Sequence, residues 1–461
     1  MTQAETLKIL KMGENIFLTG AAGSGKTHVL KEYIKFLKEH EIGVAVTAST
    51  GIAATHLKGV TIHSWSGIGI RDTLSDREID EMEQQSYLWK RFEKTNVLII
   101  DEISMLSATT LNLIDRVAKN FKRNNKPFGG MQVIFSGDFF QLPPIEKRTA
   151  VNSSPKEYQE KIIFMDEEEE EDIIGTPFAF KAKSWKEAKL CVCYLSEQFR
   201  QNDDEFSSLL GEIRDGTFSE KSVEILNKRI IQNEDEEITK LFTHNVNVDG
   251  FNNKKIAEIN EEEKTFRMLT KGKVNLIESL KKGCLVPEHL LLKKGALVMF
   301  VKNNPTVGYI NGTVGRIVNF IETYPMVECD DGERYLAKPQ TWSIEDGGKI
   351  LAEISQVPLK LAWAVTIHKS QGMTLNKAVI DLSNAFVEGQ GYVAISRVKS
   401  LKGLFLKGFN KKALEVHKEI ISTDKKLKED SSRLFNETKK INQKDFKERH
   451  EAFLKRVRSK K

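Results

Sequence analysis

Gly20-Ala21-Ala22-Gly23-Ser24-Gly25-Lys26-Thr27 follows the apolar run Asn15–Thr19 and opens a stretch with helical character. A glycine-rich loop in that context restricts the chain to architectures in which a sheet strand delivers the loop to a helix N-terminus. Backbone N–H groups of such a loop can surround phosphates, Lys26 can reach the β- and γ-phosphates, and the Thr27 hydroxyl can bind Mg²⁺. Gly20, Ala22, Gly23, Ser24, Gly25, Lys26 and Thr27 are therefore the candidate contacts for ATP and Mg²⁺. The structural alternative is a chance glycine turn.

The surrounding pattern agrees with a parallel sheet. Short apolar runs at Asn15–Thr19, Val44–Ala48, Asn96–Ile100 and Met131–Ser136 alternate with helical stretches, the signature of an α/β domain with helices on the sheet faces. A second series, Cys191–Leu195, Ile238–Thr243, Ala378–Leu382 and Gly403–Phe409, predicts a second α/β domain. Ala296–Gln356, rich in Gly and β-branched residues with turns at Asp330-Asp331-Gly332 and Asp346-Gly347-Gly348, reads as a small inserted β-barrel. Residues 411–461 lack Gly and Pro and are rich in Lys and Glu, which favours helix.

Composition narrows the class further. No apolar run approaches the roughly 18 residues of a membrane span, so no membrane partner is expected. MTQAETLKIL has neither an apolar leader nor an Arg-rich presequence, and a cytoplasmic location is the expectation. Cys191, Cys193, Cys284 and Cys329 fit neither a disulfide framework nor paired zinc arms. The net charge of +5 is uneven: residues 411–461 hold 17 Lys and Arg against 9 Asp and Glu, leaving the other 410 residues at −3. The basic tail is either an auxiliary polyanion contact or a solvated helix on the second domain.

Two further motifs extend the nucleotide reading. In Val97-Leu98-Ile99-Ile100-Asp101-Glu102 an apolar strand ends in two carboxylates. Asp101 is assigned to the metal and Glu102 to orienting and deprotonating the attacking water, the alternative being a solvent-facing pair that caps the next helix. After the strand ending at Ser136, Gly137-Asp138-Phe139-Phe140-Gln141-Leu142-Pro143-Pro144 places Gln141 where an amide can sense the γ-phosphate, while the prolines stiffen the loop. A purely structural turn is the alternative there.

Taken together, these motifs resemble the Pif (petite integration frequency) family of superfamily-one 5′-to-3′ DNA helicases, related to RecD-type helicases, in a bacterial or phage form. Thr47–Gly69 resembles the family's first DNA-contacting motif, and Lys126–Pro144 is similar almost residue for residue to its metal-to-coupling stretch. Leu195–Gln201 places Arg200, and Gly389–Leu404 places Arg397, in the two arginine motifs; Pro358–Leu375 covers a further motif. Gln3, 17 residues before Gly20, stands at the family's adenine-reading position. Lys119 and Lys122 stand where the family's eukaryotic signature tends to have Arg, and Trp65 where Phe is usual, so sequence-independent contacts are open to different tuning.

The resemblance implies two RecA-like domains. The first runs over about 1–188, with a DNA-facing insertion at about 64–92 and an acidic loop at about 150–176. The second runs over about 189–409, interrupted by the barrel at about 296–356, and 410–461 forms a basic helical extension. It further implies Gly372 as a nucleotide contact and Thr50, Gly51, His63, Ser64, Trp65, Pro143, Asn311, His368, Lys369 and Ser370 as DNA contacts. Base stacking on an aromatic such as Trp65 is worth about 1–3 kcal/mol per base. For His63 and for the His368–Ser370 cluster, loop scaffolding is the alternative. The implied partners are single-stranded and forked DNA, extending to DNA–RNA hybrids and G-quadruplexes, with a monomer in solution. The competing function is a nucleotide-dependent binding switch without processive movement. The seven-residue acidic run 166–172 reads as a solvated loop, or as a flap that competes with DNA.

Overall fold

The computed structural model describes residues 1–69, 71–141, 143–144, 178–197, 203–232, 238–243, 248–304, 306–346, 349–370 and 372–458. Six strands form the first sheet: β1 (Ile16–Gly20), β2 (Val44–Ala48), β3 (Val60–Thr61), β4 (Val97–Asp101), β5 (Gln132–Ser136) and β6 (Cys191–Leu195). Their order is β3-β2-β4-β5-β1-β6, parallel throughout. Every residue of β1, β4 and β5 is buried, because helices cover both faces of a parallel sheet and its central strands are apolar without interruption. Their side chains still divide by parity. Phe17, Leu98 and Ile100 enter one core, while Ile16, Leu18, Val97 and Ile99 enter the other.

Cys191–Leu195 does not open the second domain, as the sequence reading had it. β6 pairs with β1 from Ile16–Cys191 to Gly20–Leu195 and so forms the edge of the first sheet, which carries that unit past residue 188.

The chain next forms β7 (Lys240–Phe242) and then an antiparallel insertion, comprising β8 (Lys264–Arg267), β9 (Leu269–Gly272), β10 (His289–Leu292), β11 (Leu297–Phe300), β12 (Val314–Ile321), β13 (Tyr324–Cys329), β14 (Arg334–Leu336), β15 (Gln340–Asp346), β16 (Lys349–Gln356) and β17 (Leu359–Leu361). It returns with β18 (Ala364–Thr366), β19 (Ala378–Leu382) and β20 (Leu404–Phe409), which complete a parallel second sheet in the order β18-β7-β19-β20. The insertion draws strands from a wider span than 296–356. Among the described residues its pairing is open rather than a closed barrel: a five-stranded sheet β14-β13-β12-β11-β17, a three-stranded sheet β15-β16-β9 and the pair β10-β8.

The basic extension is helical, as its composition predicts, with helices at Lys418–Lys440 and Gln443–Arg458. Its docking partner is the first unit. The Tyr194 N–H on β6 donates to Ser431 Oγ (3.0 Å), and Arg456 Nη2 donates to the Gly13 carbonyl (3.0 Å). Phe453 and Val457 are buried in the same core as Ile9, Ile16 and Leu37. Phe453→Ala is therefore expected to destabilise the protein by about 3–5 kcal/mol, measured by denaturant unfolding. Deleting residues 411–461 would open this core, so the site-directed variant is the cleaner probe of the tail.

No described helix is long and apolar enough to cross a membrane.

Candidate functional site

β4, β5 and β1 lie side by side, and the three nucleotide motifs all leave from their carboxyl ends, where open parallel sheets bind ligands. The loop after β1 ends at Gly25, which caps the helix Lys26–Glu39 in the left-handed region (φ +87°), as does Gly23 (φ +85°). A Cβ at Gly20 would lie 2.8 Å from the Leu195 carbonyl and 2.9 Å from Ser24 Oγ, so the loop cannot close with a larger residue there. Lys26 Nζ donates to the Gly20 and Ala21 carbonyls (2.9 and 3.1 Å), and desolvation holds its pKa below the usual lysine value. Gln3 Nε2 lies 3.5 Å from the Ser24 carbonyl, at the edge of the same loop.

Asp101 ends β4 and is buried, which raises its pKa; its Oδ1 accepts the Glu102 N–H (3.0 Å). Glu102 has left-handed backbone (φ +51°), a strained geometry for a non-glycine residue that turns its side chain away from the strand direction. Burial, and then the neighbouring Asp101 charge, push Glu102 up to about 7, against the opposing pull of Lys26 and Arg397.

Arg397 comes from the second unit, two residues after the helix Gln390–Ile395. It is 2% exposed, with Nε donating to the Val393 carbonyl (2.9 Å) and Nη2 to Ser396 Oγ (2.8 Å). Gln141 is buried on the loop after β5, against the second unit: a Cβ at Gly389 would lie 2.8 Å from the Phe140 carbonyl and 3.4 Å from that of Gln141. Lys26, Asp101, Glu102 and Arg397 thus act on one another across the two units, while Gln141 lies on the adjoining loop against Gly389. Arg200 and the acidic run 166–172 lie outside the described residues.

Among the described residues, Ser24 Oγ and Glu102 Oε2 are buried without a hydrogen-bond partner, and no cluster of three or more His, Cys, Asp or Glu residues could enclose a metal. Such a site fits nucleotide-bound Mg²⁺, which takes one or two protein oxygens and the remainder from phosphate and water. Thr27 and Asp101 are the residues that would supply that pair.

The expected DNA contacts divide. Thr50 caps the helix Gly51–His56, accepting the Ala53 N–H (3.3 Å). Gly51 abuts Gly283 of the insertion so closely that a Cβ on Gly283 would lie 2.6 Å from the Gly51 carbonyl. Lys38 and Lys58 both pair with Glu345, at 3.1 and 3.0 Å, reinforcing that contact. His63 is half-buried and its pKa is lowered by burial, while the Ser64 carbonyl accepts Arg91 Nη1 (3.0 Å). Lys369 is exposed and Pro143 half-exposed; of His368 only the backbone is described.

Three expectations are corrected. Trp65 is 4% exposed, with its ring 4.6 Å from that of Phe92, so it packs the core formed by the helices at 76–83 and 86–94 and offers no open face to a base. Ser370 is fully buried and its hydroxyl donates to the Ile367 carbonyl (2.7 Å), which makes it scaffolding. Gly372, expected at the nucleotide, lies against His56, where a Cβ would meet the ring at 3.1 Å. Lys119 and Lys122 are also structural. Lys119 pairs with Asp115 and Glu187, and Lys122 Nζ donates to the Phe92 and Thr95 carbonyls.

Comparison with known proteins decides the family. Residues 3–160 match the model of the PIF1-like helicase family, and residues 275–320 match that of the DNA helicase Pif1 2B domain. The ATP-dependent DNA helicase Pif1 of a Psychrobacter species is 40% identical, over 98% of this chain and 75% of that protein. The chain belongs to the PIF1-like helicase family. The Bdellovibrio bacteriovorus Pif1 is 35% identical over 91% of this chain and 90% of its own. The structure of unliganded Bacteroides Pif1 superposes with a TM-score of 0.75 at 30% identity, covering 92% of this chain and 96% of that one. The same enzyme with ADP-AlF3 and single-stranded DNA gives 0.58 at 30% identity, covering 93% and 96%.

Within this PIF1-like chain, sequence reading missed Lys360, His56 and Arg214. Lys360, on β17, is held down to about 7 by burial and by the charge of Lys369, so these two residues form a basic pair. A lone Lys in a strand carries no motif, and only the fold brings the charge of Lys369 to bear on it.

His56 lies 3.4 Å from Asn311 Nδ2, joining the first unit to the insertion; Asn311 is itself buried. Burial, and then the charge of Lys31, hold His56 down to about 4. A histidine depressed in this way stays neutral in the folded chain while the unfolded chain takes up a proton. Its contribution to stability is complete above about pH 6.5 and is lost as pH falls from there toward 4. Between pH 7 and 5.5 the expected loss is on the order of 1 kcal/mol. His56→Gln should remove that slope, read as the difference in Tm between the two pH values.

Proposed function

We propose that this chain is an ATP-dependent DNA helicase that moves 5′ to 3′ along single-stranded DNA and separates forked duplex. The observation that carries the reading is the composite ATP site. Lys26, Asp101 and Glu102 are fixed on the first parallel sheet, while the charge of Arg397, from the second unit, acts on Glu102. The Psychrobacter relative named ATP-dependent DNA helicase Pif1, the Bacteroides Pif1 structure with ADP-AlF3 and single-stranded DNA, and a structure of two coordinating Pif1 helicases concerned with unwinding at forked duplex support it.

Each residue has a derivable task. The loop N–H groups and Lys26 hold the phosphates, and burial strengthens those contacts by excluding water. Glu102, with its pKa near neutrality, takes the proton of the attacking water. Arg397 offsets charge that builds up in the transition state, and Gln141 senses the γ-phosphate from the loop that touches the second unit. Thr27 and Asp101 would hold Mg²⁺, whose chemistry there would be charge neutralisation at the phosphates. Because catalytic groups come from both units, turnover changes their separation, and a strand gripped by both advances.

Arg200 is proposed as the second arginine of the site and Gln3 as the adenine contact. On the DNA side the proposal keeps Thr50, Gly51, His63, Ser64, Pro143, Asn311, His368 and Lys369. DNA–RNA hybrids and G-quadruplexes are proposed as further substrates, and the working form as a cytoplasmic monomer. Breaking one base-pair step costs about 1.4 kcal/mol of stacking on average, well within what ATP-coupled closure can supply.

Strand displacement on 5′- and 3′-tailed duplexes with ATP tests the reading. Unwinding of the 5′-tailed substrate alone is expected. Unwinding of only the 3′-tailed substrate overturns the polarity, and a wild type without DNA-stimulated ATPase would instead be the binding switch.

A further inference from the structure

A buried polar cluster centred on an arginine outside the sequence motifs joins the ATP site to the C-terminal extension. At its centre is Arg214, on the helix Asp204–Asp215, 6% exposed. Its Nη1 donates to both Asp138 carboxylate oxygens (2.9 and 2.7 Å) and to the Tyr392 hydroxyl (3.2 Å). Its Nη2 donates to the Tyr194 hydroxyl (2.9 Å) and lies 3.6 Å from Asp424 Oδ1, and the guanidinium sits 4.0 Å from the Phe140 ring centre. The Tyr194 hydroxyl donates in turn to Asp424 (2.9 Å), which also pairs with Lys428 (2.8 Å). Five segments meet here: the loop after β5, β6, the Arg214 helix, the Tyr392 helix and the tail helix Lys418–Lys440.

One contact gives the cluster a direction. The Tyr392 oxygen accepts the N–H of Ala22, in the phosphate loop, at 3.3 Å. Tyr392 lies on the helix Gln390–Ile395, which leads directly to Arg397. The segment carrying the second unit's arginine is therefore joined to the phosphate loop through the Tyr392 hydroxyl, and Arg214 holds that hydroxyl in place. A buried ion pair contributes little net stability against an apolar replacement, so its geometry is the feature to explain.

We propose that Arg214 and Tyr392 are positioning residues for ATP hydrolysis, and that Asp424 makes the tail helix a working part of the same assembly. Arg214 fixes Tyr392 against the phosphate loop, and Tyr392 sets the register in which Arg397 meets Glu102. A misplacement of about 1 Å at a reacting centre can cost 10²-fold in rate, so loss of one hydroxyl is measurable. The inference rests on the ATPase reading above.

The test measures DNA-stimulated ATPase of the full chain, with nucleotide-binding stoichiometry counting the folded sites. Tyr392→Phe is expected to lower kcat about tenfold per folded site with ATP KM changed less than about twofold, and Asp424→Asn to lower kcat in the same way by about threefold. In an Arg397→Lys background, which keeps charge but loses the planar fork, Tyr392→Phe should add little, because both changes remove the same alignment. Wild-type kcat in Tyr392→Phe, or a loss that multiplies fully with that of Arg397→Lys, overturns the positioning role. Unchanged kcat in Asp424→Asn removes the tail from the assembly. Absence of turnover in the wild type would instead overturn the ATPase reading itself.

Discussion

Arg397→Ala is expected to lower DNA-stimulated ATP turnover by about 10³- to 10⁵-fold while nucleotide and single-stranded DNA still bind. That span corresponds to roughly 4–7 kcal/mol of transition-state stabilisation at 1.36 kcal/mol per tenfold. The magnitude follows from where the guanidinium sits: it is 2% exposed and its charge acts on Glu102 across the boundary between the two units. A surface ion pair would be worth only about 0–1 kcal/mol. Its hydrogen bonds to Val393 and Ser396 stay within its own segment, so the variant loses those local contacts and the interaction across the boundary. Rapid-quench ATPase with and without DNA, alongside nucleotide binding, separates the effects. Near-normal stimulated turnover would remove Arg397 from the composite site. The same loss is expected for Arg200→Ala, since the resemblance gives it the matching role.

The candidate ATP site was legible because its chemistry is local. A phosphate loop, a strand ending in Asp101-Glu102 and the Gly137–Pro144 stretch each need neighbouring residues, and a parallel sheet brings strand ends together without further instruction. What could not be read depends on pairing across long sequence distances. β6 has the composition of any buried strand, and only its register with β1 assigns it to the first sheet. Trp65 fits a stacking platform as well as a core, and Phe92, on a helix 27 residues on, decides between them.

Arg214 and Asp424 did leave a faint trace. Arg214 follows Leu209, Leu210 and Ile213, all buried, and Asp424 shares a stripe with Ile420, Leu427 and Ser431. A charge on the apolar face of an amphipathic helix is a signal for a buried partner. Without the fold, that signal names no partner, which is why the tail read as a polyanion contact or a solvated helix on the second domain.

Glu102→Gln isolates the proton transfer. The amide keeps the size of the carboxylate and can hold the same left-handed backbone, but it cannot accept the proton of the attacking water. Loss of a positioned general base costs about 10²–10⁴-fold, and kcat is expected to fall by that amount with ATP KM little changed, because the phosphates are held by the loop and Lys26. Unwinding should fall in step, since strand separation draws on the same turnover. Folding cannot account for such a loss: Glu102 is half-buried beside Asp101, with its Oε2 buried and unpartnered among the described residues, so replacing a like charge there with a neutral amide should leave Tm no lower than that of wild type. Asp101→Asn provides the contrast, because it removes a candidate Mg²⁺ ligand and should raise the Mg²⁺ concentration needed for half-maximal rate, whereas Glu102→Gln should leave that requirement in place. Turnover in Glu102→Gln within a few-fold of wild type would transfer the base role to another residue, with Asp138, a buried carboxylate whose charge also acts on Glu102, the next to examine.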